Sequence, residues 1–290
     1  MVAGIVFFIL FLTKIGPVDF SKVNLNWNYL MLSFLIQIIA LVIGAYNWFL
    51  SLIMFDIKVP FNVVFSSHSL SILGKYIPGR IWTVLNRSAF IAQLGYDFLI
   101  TSFIYTRLEV INILVGLLIG IFPLFLLEMD IIYRALILIA IIALLYLLVN
   151  KKVQKLIYKL INKITKSENE IDIPSFEFRS NAMVMAVALL QWVAYSMAFF
   201  FFVRAIFPVS DLKLGFAFPL SMTIGFIAFF TPGGLFVRES VLLAYFALFK
   251  LPLEISIAVS VLSRFWLLVG ELFIFILGFI FKPGKAKKIN

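Results

Sequence analysis

An all-α polytopic membrane fold is what this sequence predicts, and three observations carry the reading. Of its 290 residues, 63% are apolar and only 13% are charged, against about a quarter charged in soluble domains. Apolar stretches recur at Leu30–Phe55, Ile131–Val149, Ala182–Val203 and Ile255–Ile280, each near or above the roughly 20 residues a helix needs to cross a bilayer. The ten-residue alternation that marks a membrane β-barrel is absent from the sequence.

The elements follow in chain order. Met1–Leu12, followed by Lys14, lacks a basic leader and a small-residue cleavage site, so a short or truncated first membrane helix is expected rather than a signal peptide. About six spanning helices are predicted, at about 2–14, 28–55, 98–121, 131–149, 181–207 and 254–281. Residues 60–95 and 214–250 are apolar but broken midway, by Lys75-Tyr76-Ile77-Pro78-Gly79-Arg80 and by Thr231-Pro232-Gly233-Gly234. Proline stops a helix and glycine permits the turn. Each piece then covers about 25 Å or less, short of a hydrocarbon core of about 30 Å. Two re-entrant hairpins are therefore expected, their turns shielded by protein or by a water-filled cavity.

Charge sets the expected orientation. Ten of the 24 basic residues fall in two clusters, Lys151, Lys152, Lys155, Lys159, Lys163 and Lys166, then Lys282, Lys285, Lys287 and Lys288. Basic flanks face the cytoplasm, which puts residues 151–180 and the C-terminus on that side of the cell membrane. The first hairpin then opens to the cytoplasm and the second to the outside. Residues 28–121 and 181–281 thus read as inverted halves of one domain spanning 1–290, an arrangement that points to a transport site near the midplane. Residues 151–166 have helical apolar spacing with lysines on the other faces. This suits either an amphipathic helix on anionic cytoplasmic lipid or a solvated linker.

With no cysteine and one histidine, the chain offers neither disulfides nor thiolate or multi-histidine metal sites. No metal or other cofactor is expected. The net charge of +10 belongs to membrane flanks and is not a nucleic-acid signal. What stands out is charge inside the apolar segments: Lys75, Arg80, Arg87, Arg107, Arg238 and Arg264 against Glu109, Glu239 and Glu271. Each costs about 2.5–3.5 kcal/mol on insertion scales. Arg80 and Arg87, seven apart, share a helix face, as do Arg264 and Glu271. Arg80 and Arg238 each fall near a half-helix N-terminus, where an anion is favoured, and Gly79, Gly233 and Gly234 leave backbone open to approach. These five and Arg87 form the expected headgroup site: Arg80, Arg87, Arg238, Gly79, Gly233 and Gly234. Lys75, Arg107, Glu109, Glu239, Arg264 and Glu271 form the expected supporting network. Arg264–Glu271 and Arg107–Glu109 could also be plain helix-to-helix pairs, and Lys75 a plain C-terminal cap. His68, among serines, is a buried hydrogen-bonder or lines a cavity. Arg204 is expected to snorkel. The five tryptophans are expected at interfaces or in packing, Trp82 beside the break being the exception.

The run Leu73-Gly74-Lys75-Tyr76-Ile77-Pro78-Gly79-Arg80-Ile81-Trp82, ending at Arg87, resembles a signature of the lysylphosphatidylglycerol synthase transmembrane family. Phe230-Thr231-Pro232-Gly233-Gly234-Leu235-Phe236-Val237-Arg238-Glu239 resembles its second signature, and Ser263-Arg264-Phe265-Trp266 with Glu271 a weaker third. The resemblance runs from about residue 40 to 280. It implies a flippase-like domain similar to the translocase half of multiple-peptide-resistance proteins, without the soluble synthase domain. Phe236 stands where that family commonly has glycine, and Asn47 where arginine is commoner. The implied function is translocation of an anionic or phosphate-containing lipid, with no enzymatic step. Alternatives are a membrane-embedded transferase, which would want paired acids where the aspartates are isolated, and a non-transporting partner of a lipid or glycan synthase. A homo-oligomer or a synthase partner stays open.

Overall fold

The computed structural model describes residues 25–76, 81–128, 130–150, 152, 156, 178–228 and 234–281. Every regular element among them is helical: α1 (Trp27–Ile53), α2 (Phe61–Ser71), α3 (Ile81–Ala92), α4 (Phe98–Phe125), α5 (Ile131–Val149), α6 (Phe178–Ile206), α7 (Ala217–Ile227), α8 (Val237–Leu248) and α9 (Leu253–Ile280). Short 3-10 turns extend α2 over Ile72–Tyr76 and precede α7 over Leu212–Phe216. Four helices, α1, α4, α6 and α9, are long and apolar enough to cross a membrane. The expected helix at 2–14 and the amphipathic segment 151–166 lie outside the described residues, save Lys152 and Leu156.

Helix starts follow the polar residues that punctuate the sequence. Asn26 accepts the backbone N–H groups of Asn28 and Tyr29, and Asp97 those of Leu99 and Ile100. Asp211 does the same for Lys213. These side chains satisfy amide donors that a helix start leaves orphaned, which accounts for aspartates sitting singly at segment ends.

The two long helices α1 and α6 pack most extensively and run antiparallel. Ser33 donates to the Ala198 carbonyl at 2.6 Å, Asn26 N–H to the Ala205 carbonyl at 2.8 Å, and Gly44 faces Gln191. The remaining contacts come in matched pairs. The helix before each break lies on a long helix remote in sequence, α2 on α9 and α7 on α4. The helix after each break lies on the long helix that follows it, α3 on α4 and α8 on α9. Rings of Phe199, Phe218 and Trp266, with centroids 5.2–5.8 Å apart, fill the junction of α6, α7 and α9. Outward, α1 exposes Trp27, Met31, Leu35 and Ile39 as one stripe, and α5 is apolar over most of its described surface. Such faces suit lipid, not water.

The depth of the breaks can be read from neighbours along the long helices. Phe65 stacks edge-on to Phe281, Gly278 meets Ser69 and Leu70, and Lys75 pairs with Glu271. Going from Phe65 to Tyr76, the chain therefore descends from the end of α9 towards its middle. On the other side Gly120 meets Leu220 and Gly116 meets Thr223, so α7 ends level with the middle of α4. The residues flanking both breaks sit about halfway along the long helices.

Candidate functional site

Two cavities meet at that level. A central one of about 240 Å³ is bounded by α1–α4, α6, α7 and α9, and its polar lining includes His68, Lys75, Thr83, Arg87, Glu109, Asn112, Gln191 and Glu271. A second, of about 250 Å³, lies among Tyr76, Arg238, Val261, Arg264, Phe265 and Leu268. Lys75 and Tyr76 are consecutive, and each lines a different cavity. Glu271, 1% exposed, accepts from both: Lys75 binds Oε1, and the Tyr76 hydroxyl donates to Oε2 at 2.8 Å. This cluster forms a wall between the two spaces.

The ion pairs differ from the sequence expectation. Arg264 does not pair with Glu271 on its own helix; it grips Glu239 through Nε and Nη2, the latter at 2.9 Å, and its Nη2 also reaches the Gly234 carbonyl at 3.4 Å. Lys75 is not merely a helix cap, because its ammonium is held by Glu271 across the molecule. Arg107 and Glu109 diverge, as residues two apart on a helix must: Arg107 lies over the Phe55 ring at 5.4 Å, while Glu109 accepts from Tyr105 one turn earlier. Both carboxylates that pair do so between different elements, a choice that side-chain spacing along one helix could not reveal.

The two described arginines of the expected headgroup site have different environments. Arg87, 3% exposed, donates through Nε to the Ser71 hydroxyl at 3.0 Å and through Nη2 to the His68 carbonyl at 3.5 Å. Its guanidinium stacks 4.2 Å from the Tyr105 ring centroid. Its partners are all neutral. Arg238, 4% exposed, has no hydrogen-bond partner for Nε or Nη2 among the described residues. A buried guanidinium with two nitrogens unsatisfied is costly, so the second cavity would welcome an anion. Its position in the first turn of α8 sharpens the point, since that end of a helix repels a cation and attracts an anion.

Glycines make room for this arrangement. A Cβ on Gly225 would lie 2.4 Å from Arg238 Cγ, and one on Gly234 would lie 3.0 Å from the Gly225 carbonyl. Gly234, at φ +68°, thus serves close packing around the arginine stem. Phe236 also has positive φ, at 67° with ψ −40°, a conformation glycine adopts without cost and phenylalanine does not. Arg80, Gly79 and Gly233 lie outside the described residues. His68 lines the central cavity, with Nδ1 lacking a partner among the described residues. Trp48, Trp192 and Trp266 are packed inside, Trp27 and Trp82 exposed; Arg204 stacks on Tyr29 at 4.7 Å.

Sequence reading missed Tyr76, Tyr105, Asn112 and Gln191. Tyr105 and Asn112 were findable, being four before and three after Glu109 and hence on its face. Gln191 was visible only as a lone amide in an apolar span.

No curated protein sequence and no solved structure matches the chain. Its residues 1–278 match the family described as lysylphosphatidylglycerol synthase TM region. With four helices able to cross a membrane, both signature breaks in the sequence and this match over nearly its full length, the chain is a multi-pass membrane protein belonging to the lysylphosphatidylglycerol synthase TM region family.

Proposed function

We propose that this chain translocates an anionic, phosphate-containing lipid across the cytoplasmic membrane, an aminoacyl-phosphatidylglycerol or a polyprenyl-phosphate-linked glycan being suitable cargoes, without making or breaking bonds. The observation that carries the reading is the buried guanidinium of Arg238, whose Nε and Nη2 have no partner among the described residues, beside a cavity at half-depth. Arginine suits a phosphate because its planar fork holds two oxygens. Arg80, Arg87, Gly79, Gly233 and Gly234 complete the headgroup site in this reading, and Lys75, Arg107, Glu109, Glu239, Arg264 and Glu271 hold its charge balance. The halves 28–121 and 181–281 act as inverted repeats whose re-entrant hairpins open to opposite sides, with residues 151–180 and the C-terminus cytoplasmic and lysines of 151–166 on anionic lipid. Matched packing of the hairpins and their half-depth ends support that arrangement.

The test is flipping of fluorescent phosphatidylglycerol in liposomes. Arg238→Gln should reduce flipping to the protein-free rate while leaving thermal stability in detergent unchanged or raised, since removing an unpaired buried cation removes its desolvation cost. Arg238→Lys should restore part of the rate, keeping charge without the fork. Wild-type flipping by Arg238→Gln would place the site elsewhere, and its failure to fold would make the arginine structural. Conversion of the lipid in the same vesicles would replace translocation by a transferase reading.

A further inference from the structure

Three carboxylates sit at half-depth, and they are not equivalent. Glu239 is gripped by Arg264, and Glu271 by Lys75 and Tyr76. Glu109 makes no ion pair among the described residues; it faces the central cavity and accepts one hydrogen bond, from the Tyr105 hydroxyl. The face of that same tyrosine carries the Arg87 guanidinium. Arg87 and Glu109 are therefore each other's counter-charge at one remove, with Tyr105 between them. Lys75 and Glu271 complete the charged lining and cancel each other.

An anion entering this cavity competes with Glu109 for Arg87. Once a phosphate oxygen takes the guanidinium, the cavity holds one uncompensated negative charge in a low-dielectric surrounding. Adding a proton to the Glu109 carboxylate restores neutrality, and the cavity is furnished for the acid form. A protonated carboxyl gains an O–H donor that needs an acceptor. Asn112 Oδ1 and Gln191 Oε1 line the same cavity with no partner among the described residues. Asn112 lies three residues beyond Glu109 on α4, on the same face.

We infer that Glu109 is a proton-binding site linked to the anion site at Arg87, so that each phosphate bound brings one proton from solvent onto the carboxylate. Linkage is reciprocal: phosphate promotes protonation, and acid promotes phosphate binding. A lipid phosphate bearing one negative charge then travels with one proton as a neutral pair. Transport is driven by a pH difference and is indifferent to membrane potential. This inference rests on the anion reading of Arg87 above but not on translocation itself. The other titratable groups facing Glu109 across the cavity are His68 of α2, Lys75 beyond it, Arg87 of α3, Tyr195 of α6 and Glu271 of α9, with Tyr105 on its own helix. Among the described residues, α7 presents only apolar side chains there, Phe218, Met222 and Phe226, and α1 presents Leu41.

The experiment is infrared difference spectroscopy of the full chain in nanodiscs at neutral pH, in high salt to screen surface charge. Phosphatidylcholine discs are compared with discs containing phosphatidylglycerol, and inorganic phosphate is added to the former to separate a lipid headgroup from free phosphate. A carboxylic-acid band should appear with phosphatidylglycerol and be absent in Glu109→Gln, yet persist in His68→Asn. In liposomes, apparent affinity for phosphatidylglycerol should fall by about tenfold per pH unit on the alkaline side, the slope of one linked proton. No band in the wild type with either anion overturns the inference, as does a band that survives Glu109→Gln or vanishes in His68→Asn. A band that behaves as expected in a protein that flips no lipid keeps the proton-linked anion site and removes the translocation reading.

Discussion

The two hairpins share a plan and differ in chemistry. In each, a first leg ends at half-depth against a long helix remote in sequence, and a second leg begins there. The first leg of the N-terminal hairpin is polar, with Ser66, Ser67, His68, Ser69 and Ser71 all buried, whereas α7 offers Phe218, Leu220 and Met222 with Ser221 and Thr223. The cations follow suit. Lys75 is neutralised by a carboxylate, whereas Arg87 is held by neutral acceptors and a ring that leave its charge open to an anion. Arg238 in the second hairpin has no such acceptor for two of its nitrogens among the described residues. Packing sets where the breaks fall, and the side chains at the breaks decide how much charge is left for a ligand. Matched architecture does not imply matched roles.

Three comparisons test how far the hairpins differ, the largest effect first. Lys75→Met leaves the Glu271 carboxylate buried with only Tyr76 as donor, and should cost about 3–5 kcal/mol. The double variant Lys75→Met/Glu271→Met should recover most of that, because loss of both charges removes the unpaired one. Thermal unfolding in detergent measures both. A single variant as stable as the wild type would mean that the first hairpin does not depend on its ion pair.

The glycine seats come next. A Cβ on Gly120 would lie 2.7 Å from the Leu220 backbone nitrogen, while one on Gly278 would meet the Ser69 side chain at 2.7 Å. Backbone yields less readily than a side chain, so Gly120→Ala should cost about 1–3 kcal/mol and Gly278→Ala less. Equal losses in the same unfolding assay would show that the two seats are equally rigid.

The smallest effect is expected at Phe236. Relieving its positive φ with Phe236→Gly should stabilise the fold by about 1 kcal/mol, the low end for a strained residue, offset in part by the freedom glycine adds to the unfolded chain. A fall in stability would mean that the ring contributes more than the backbone strain costs. Nothing comparable is expected in the first hairpin, where no described residue but Gly95 has positive φ.

The sequence made the long helices legible to within about four residues at each end, since an apolar run of that length has few other fates and Asn26 and Asp97 mark where helices begin. Proline and glycine located the breaks. The ion pairs were not legible, because Lys75 and Glu271 are 196 positions apart and nothing in local spacing distinguishes that partner from Arg264, seven residues away on the same helix. Burial of an arginine without an acceptor is likewise a property of the assembled bundle. The sequence counted the excess cations but could not say which would be left over.

That separation between Lys75 and Glu271 also has a meaning in time. At about 5–20 residues per second, a ribosome reaches Glu271 roughly 10–40 s after Lys75. Throughout that interval the first hairpin has neither the carboxylate that holds its lysine nor the helix on which its first leg lies. Its serines, histidine and lysine are poorly suited to lipid while they wait. The first hairpin made is therefore among the last parts to be seated, and insertion of the final helix completes the burial of a segment synthesised near the beginning.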